Sequence, residues 1–242
     1  MYDYEESREI RTTDCDFMGR WRFSAMMEEM QEAAGIHSAR LSCGRAELLK
    51  KNIAWVLVRS EIRVERYPTV GERVTVRTFH GKTRHAFYPR YYVVTDADGK
   101  EIAVSSSLWV LMDLKTRETV SGEKIGIQLP DNTDAKPPMP FPASIRPIEG
   151  ETRESEYLAR YTDLDVNEHV NNTRYADWMC NELGTETLRK AEISRMIIDY
   201  NEEVRPGQPV AFRMVRAENQ AWLTGRIGDR QAFEIFCELK KY

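Results

Sequence analysis

Asp165, Asn167 and His169 stand on alternate residues within Thr162–Tyr175, just ahead of a segment with helical spacing. A carboxylate, a carboxamide and an imidazole spaced in this way can aim at one small volume. A helix start adds backbone N–H groups that have no partner inside the helix. Such a set can hold and polarise a carbonyl while a water molecule attacks it. The Asp-x-Asn-x-His pattern shares its opening with a calcium loop, but that loop wants glycine at its sixth position and glutamate at its twelfth. Val170 and Ala176 stand there instead. One histidine with no cysteine pair nearby also argues against a metal site, so neither metal nor cofactor is expected.

The elements that must position these groups come twice. Pro130, Pro137, Pro138, Pro140, Pro142 and Pro147, interspersed with Asp131, Asn132 and Asp134, form a stretch that neither helix nor central strand tolerates. It reads as a linker over 129–150, between a domain at 1–128 and another at 151–242. Thr13–Trp21 before it lines up with Thr162–Val170 after it, setting Asp16 against Asp165, Met18 against Asn167 and Arg20 against His169. Val70-Gly71-Glu72-Arg73-Val74 likewise matches Pro206-Gly207-Gln208-Pro209-Val210, which sets Tyr67 against Glu203. A repeat this long is a domain duplication. Each half should hold a lead-in strand, a helix and then several long antiparallel strands. The helices are expected over roughly Phe23–Ala34 and Asn172–Leu183, each ended by glycine. The strands are expected over roughly Ala54–Arg66, Arg73–His80, Phe87–Thr95 and Ile102–Met112, then Ile193–Glu203, Pro209–Ala217, Ala221–Ile227 and Phe233–Leu239. One helix followed by a meander gives an α+β fold in which a sheet wraps a helix.

Composition narrows the partners. With 242 residues, 41% of them apolar, the chain can bury a substantial core. A net charge of −4 argues against wholesale nucleic-acid binding. Cys15, Cys43, Cys180 and Cys237 show no CxxC pairing and read as reduced thiols of a cytoplasmic protein. The acidic start lacks the apolar core of a signal peptide, and no apolar run approaches a membrane span. Exposed strand edges would allow a homodimer.

Asp165-Val166-Asn167-Glu168-His169-Val170-Asn171-Asn172-Thr173-Arg174-Tyr175 resembles the active-site motif of the acyl-acyl carrier protein thioesterases of fatty acid synthesis. Ile53–Arg59, Glu65–Gly71 and Leu108–Asp113 resemble the N-terminal half of the same family, so the likeness covers nearly the whole chain. With no plastid transit segment, the chain resembles the bacterial members. The resemblance implies a tandem of two hotdog domains and the hydrolysis of fatty acyl-acyl carrier protein. It places the family's catalytic aspartate, asparagine and histidine on Asp165, Asn167 and His169, and a further acidic residue on Glu203. Plant members have cysteine at the next position, where this chain has Val204, which argues against a cysteine nucleophile.

On this reading Glu203 activates water, Asp165 positions His169 and Asn167, and backbone N–H groups at the helix start bind the oxyanion. Direct attack by Asp165 to form an anhydride is the competing route. The first half has Met18, Arg20 and Tyr67 at the matching positions, so one active site per chain is expected, in the second half. The first half would bind the acyl chain, with Met26, Met27 and Met30 lining a tunnel that Trp55 closes. The acidic carrier protein would dock on cations, for which Lys50, Lys51, Arg84, Arg90, Arg174 and Arg189 are candidates. His37, His80 and His85 read as structural or surface residues. An acyl-CoA thioesterase and a non-catalytic acyl-binding protein are the alternatives, the second lacking a reason to keep the polar set.

Overall fold

The computed structural model describes residues 3–130, 132 and 134–242; Asp131, which the linker reading included, lies outside them together with Met1, Tyr2 and Thr133. The chain forms two compact units, Met1–Ser60 with Glu65–Pro142, and Glu61–Val64 with Ala143–Tyr242.

The first unit contains β1 (Asp3–Glu9), α1 (Phe23–Arg40), α2 (Arg45–Lys50), β2 (Ile53–Val64, whose last four residues group with the second unit), β3 (Arg73–His80), β4 (Tyr88–Asp96), β5 (Glu101–Asp113) and the short β6 (Thr119–Val120). Its strands lie in the order β1-β3-β4-β5-β2, with β6 on β5. The second contains β7 (Glu151–Leu158), α3 (Arg174–Leu183), α4 (Thr185–Lys190), β8 (Ala191–Tyr200), β9 (Pro209–Arg216), β10 (Gln220–Ile227) and β11 (Arg230–Lys241). Their order is β7-β9-β10-β11-β8. First strand, third, fourth, fifth, second: the two orders are the same, as a duplicated unit requires.

Apolar spacing explains why the helices sit where they do. Phe23, Met26, Met27, Met30, Ala33, Ala34 and His37 recur every three or four residues and form the buried stripe of α1. In α3, Tyr175, Trp178 and Met179 turn inward. Trp178 packs among Tyr157, Tyr175, Phe212 and Phe233, with ring centroids 4.9–5.5 Å away. In β9 burial alternates as far as Met214, Val210, Phe212 and Met214 buried and Ala211 and Arg213 exposed, as for a sheet with one wet face. From Tyr88 to Val94, β4 is buried on both faces.

Four elements depart from expectation, α1, β8 and the short helices α2 and α4. Gly35 does not end α1, which continues to Arg40 and stops where Ser42 takes a φ of 56°. Glycine weakens a helix without forbidding it, and the extra turn buries His37 and Ser38 beneath the sheet. In the second unit Gly184, with a φ of 79°, does end α3 at Leu183. The strand β8 ends at Tyr200, so Glu203 lies in the loop beyond it. The one-turn helices α2 and α4 have too short a period to be read from sequence. Among the described residues, no helix is long and apolar enough to cross a membrane.

Gly35 is exposed within the helix, and a Cβ built on it meets nothing within 4 Å. Gly35→Ala is therefore expected to stabilise the protein by about 0.5–1 kcal/mol. Chemical denaturation measures this, and an unchanged or lower midpoint would refute it.

Candidate active site

The residues singled out by type and spacing occupy a tight loop ahead of α3. The Asp163 carboxylate starts it, accepting from Tyr157 Oη at 2.9 Å and from the Arg160 N–H at 2.7 Å. Asp165 closes the loop: its N–H donates to the His169 carbonyl at 2.9 Å and its carbonyl accepts from the Glu168 N–H at 3.0 Å. Its carboxylate accepts from the Asn167 N–H at 2.8 Å and from Asn167 Nδ2 at 3.2 Å. Glu168 takes a φ of 61°, a left-handed conformation that costs a side-chain-bearing residue about 1 kcal/mol or more.

The His169 imidazole faces Glu203, with Nε2 3.4 Å from Oε2, both side chains about a quarter exposed. Arg205 Nη2 donates to the same Glu203 oxygen at 3.3 Å. Asp165 thus holds the Asn167 side chain directly but reaches His169 only through the main chain. The segment around Glu203 is fastened to the loop beside it. Val204 accepts from the Val170 N–H at 2.9 Å, and its own N–H donates to the Tyr175 phenol. Burial pushes that phenol well above the usual tyrosine range, so it stays neutral. Tyr200 Oη donates to the Asn172 carbonyl at 3.0 Å.

At the helix start two of the N–H groups are already engaged. Asn171 Oδ1 accepts from the Thr173 N–H at 2.9 Å, and the Asn171 carbonyl accepts from the Arg174 N–H at 2.9 Å. Both donors are thereby committed to capping α3, and neither is poised for an oxyanion. Asn171, Tyr175 and Arg205 escaped sequence reasoning. Asn171 had a readable signal, since asparagine just ahead of a helix is a common cap.

The first unit repeats this loop bond for bond. Asp16 N–H donates to the Arg20 carbonyl at 2.8 Å, Gly19 N–H to the Asp16 carbonyl at 3.0 Å, and Met18 N–H to Asp16 Oδ1 at 2.8 Å. Trp21 N–H donates to Pro68 as Val170 does to Val204, which aligns Tyr67 with Glu203. Gly19, with a φ of 75°, stands where Glu168 does. The side chains differ: Arg20 makes a two-point ion pair with Asp16, 2.7 and 3.0 Å, and its guanidinium lies 5.8 Å from the centre of the Tyr67 ring. Where His169 faces Glu203 in the second loop, Arg20 closes an ion pair with Asp16 in the first.

The expected tunnel residues come from two elements, α1 and β2. Met26, Met27 and Met30 are buried on α1. Trp55 instead belongs to a cluster of Cys43, Leu48, Ile53, Tyr88, Leu111 and Ile127, which includes none of the three methionines. Its Nε1–H donates to the Cys43 carbonyl at 2.9 Å, and its ring meets Tyr88 edge-on at 5.0 Å. Of the docking cations, Arg90 is corrected outright: it is 8% exposed and lies inside the first unit. Lys50, Lys51, Arg84 and Arg189 are exposed, although Lys51 donates to the Ile125 carbonyl and Arg84 stacks on Phe141. Arg174 is half-buried and paired with Asp177 at 3.0 Å.

Two units with one strand order and one principal helix each, α1 and α3, define a protein with two hotdog domains in tandem. An acyl-ACP thioesterase from Bacteroides thetaiotaomicron has the same fold, with a TM-score of 0.90 at 24% identity over 99% of this chain and 98% of that one. So does a 12:0-ACP thioesterase from Umbellularia californica, with a TM-score of 0.84 at 23% identity over 100% and 98%. The family model for the acyl-ACP thioesterase N-terminal domain matches residues 1–124, and that for the acyl-ACP thioesterase C-terminal domain matches residues 148–231. The chain belongs to the acyl-ACP thioesterase family. It is 31% identical over 198 residues to a chloroplastic acyl-[acyl-carrier-protein] hydrolase of Cuphea viscosissima, covering 74% of this chain and 46% of that protein. It is 30% identical over 193 residues to a chloroplastic dodecanoyl-[acyl-carrier-protein] hydrolase of Cinnamomum camphora, covering 74% and 50%. The chain spans about half the length of these curated relatives.

Proposed function

We propose that this protein hydrolyses the thioester of a fatty acyl chain carried on acyl carrier protein, releasing free fatty acid and ending elongation. The observation that carries this reading is the 3.4 Å approach of His169 to Glu203 beside the loop that Asp165 and Asn167 close. Glu203 takes a proton from water, the hydroxide adds to the carbonyl carbon, and the carbon–sulfur bond breaks. The thiolate takes its proton from His169, which recovers one from the protonated Glu203 beside it. The family to which the chain belongs supports this chemistry.

Catalysis would reside in the domain at 151–242, since the domain at 1–128 has Met18, Arg20 and Tyr67 in place of Asn167, His169 and Glu203. The first domain would hold the acyl chain. If α1 limits its length, Met27→Ala should shift preference toward longer chains, read from the chain-length profile of released fatty acids. Unchanged profiles for both Met27→Ala and Met30→Ala would remove α1 from that role.

Thiol release from matched acyl-carrier-protein and acyl-CoA substrates, with and without His169→Ala, tests the whole reading. Carrier-preferring release that His169→Ala abolishes is the expected result. Equal rates on CoA esters would move the assignment to an acyl-CoA thioesterase. Tight acyl binding without turnover on either would make the protein an acyl binder.

A further inference from the structure

One face of the first sheet changes character abruptly along its strands. Cross-strand pairing sets Thr78 against Tyr92 and His80 against Arg90, then Tyr92 against Ser105 and Arg90 against Ser107. Directly paired residues share a face, so these six line one face of β3, β4 and β5. All six are buried. The same face is apolar at one end, with Val74, Val76, Val94 and Ala103, and aromatic at the other, with Tyr88 paired to Trp109. The last turn of α1 covers the polar middle with two further buried polar residues, His37 and Ser38.

Arg90 is the centre of this patch. Its guanidinium donates to His37 Nδ1 at 3.0 Å, to Ser38 Oγ at 3.1 Å and to Thr78 Oγ1 at 3.2 Å. Arginine cannot accept a hydrogen bond, so His37 Nδ1 accepts and its imidazole is neutral. Every partner is therefore uncharged, and among the described residues no carboxylate pairs with Arg90. A buried cation without an anion carries a desolvation penalty that neutral hydrogen bonds and the partial negative charge of a helix end offset only in part. Beside it, His80 is 3% exposed, and its Nε2 has no hydrogen-bond partner among the described residues. Two basic side chains, one without a counter-charge and one with an unsatisfied nitrogen, thus stand side by side as a cross-strand pair.

The polar patch also has an apolar continuation. Trp109 Nε1–H donates to Ser107 Oγ at 2.8 Å, marking the junction. Beyond it, Tyr88 and Leu111 pack with the partly buried Leu41, Trp55 and Val120. A charged head beside a half-covered apolar track suits an amphiphile with one anionic end.

We propose that the first unit binds the carboxylate of a free fatty acid at Arg90, His80 and Ser38, with Thr78 orienting Arg90 and the chain laid along Tyr88, Trp109 and Trp55. The inference does not depend on thioester hydrolysis, because it is read by binding. The carboxylate supplies the missing counter-charge to Arg90 and accepts from His80. The headgroup would therefore be recognised by charge and the tail by contact alone.

Binding of octanoate, 1-octanol, acetate and inorganic phosphate to the whole protein, by calorimetry and thermal shift, tests the site. Octanoate is expected to bind at least about tenfold more tightly than 1-octanol, which has the same tail and no charge, in the wild type and in His169→Ala alike. Arg90→Gln is expected to abolish that preference. Thr78→Val, which keeps the shape and removes one acceptor, is expected to weaken octanoate severalfold and serves should Arg90→Gln fold poorly. Equal affinity for octanoate and 1-octanol would overturn the proposal. So would a preference that survives both substitutions, or one lost in His169→Ala, which would put the ligand at the second unit's loop. Protection by acetate or phosphate equal to that by octanoate would make the patch a simple anion site and refute the fatty-acid assignment.

Discussion

Glu203→Gln is expected to slow thiol release from an acyl-carrier-protein thioester by about 10²–10⁴-fold, the usual contribution of a general base, with KM little changed. The substitution keeps the side chain's shape and removes only its capacity to take a proton. Glu203 is half-buried, and the neighbouring Val204 is held from both sides by Val170 and Tyr175, so the loop should survive. The ratio of kcat to KM separates this role from a binding role: a loss confined to KM would make Glu203 a substrate contact. Asp165→Asn provides the contrast. If Asp165 only holds the loop, asparagine at 165 still accepts from the Asn167 N–H and activity falls modestly. If Asp165 attacks the thioester, that variant is dead, and turnover in ¹⁸O-labelled water marks the wild-type Asp165 side chain. A dead Asp165→Asn beside a nearly normal Glu203→Gln would transfer the chemistry from water activation to acyl-anhydride formation.

Acid should weaken the first unit well before it protonates most of the surface carboxylates. Burial, and then the charges of Arg90, His80 and Arg40, hold the His37 imidazole down at about 4, against 6.5 in an open chain. Burial lowers His80 as well. The folded protein keeps His37 neutral while the unfolded chain binds a proton below pH 6.5. The resulting stability is therefore complete above pH 6.5 and lost progressively as pH falls toward about 4. At about 1.4 kcal/mol per pH unit the full loss is about 3 kcal/mol from this histidine. Urea midpoints measured between pH 7 and 4.5 report it, and His37→Gln should flatten the slope over that range. An identical slope in the variant would assign the acid sensitivity to other groups.

What the amino-acid pattern revealed depended on whether a residue's role was local. The loop around Asp165 was legible because its shape is set by an aspartate four residues before the histidine. It was legible twice, because Asp16 and Arg20 repeat that spacing. The strands were legible where one face is wet, as in β9. Glu203 could be paired with Tyr67 through the shared turns at Gly71 and Gly207, although nothing in its own neighbourhood marked it. Arg90 misled for the opposite reason. A lone arginine reads as a surface cation, but in a strand buried on both faces it has no route to solvent. The signal was present in its flanks, Tyr88-Pro89 before it and Tyr91-Tyr92-Val93-Val94 after it, and the partners that accept it are 12 and more than 50 residues away. Gly35 was misread because a glycine marks a helix end only when the chain needs a left-handed turn there, and that turn falls at Ser42.

The two loops share one backbone path while carrying unlike side chains. Main-chain bonds from Asp16 and from Asp165 set the same curvature whether the fourth residue onward is arginine or histidine. The path therefore works as a socket whose shape is indifferent to what is plugged into it. One architecture therefore accepts an arginine–aspartate ion pair in the first unit and an imidazole facing a carboxylate in the second, with no change of backbone between them.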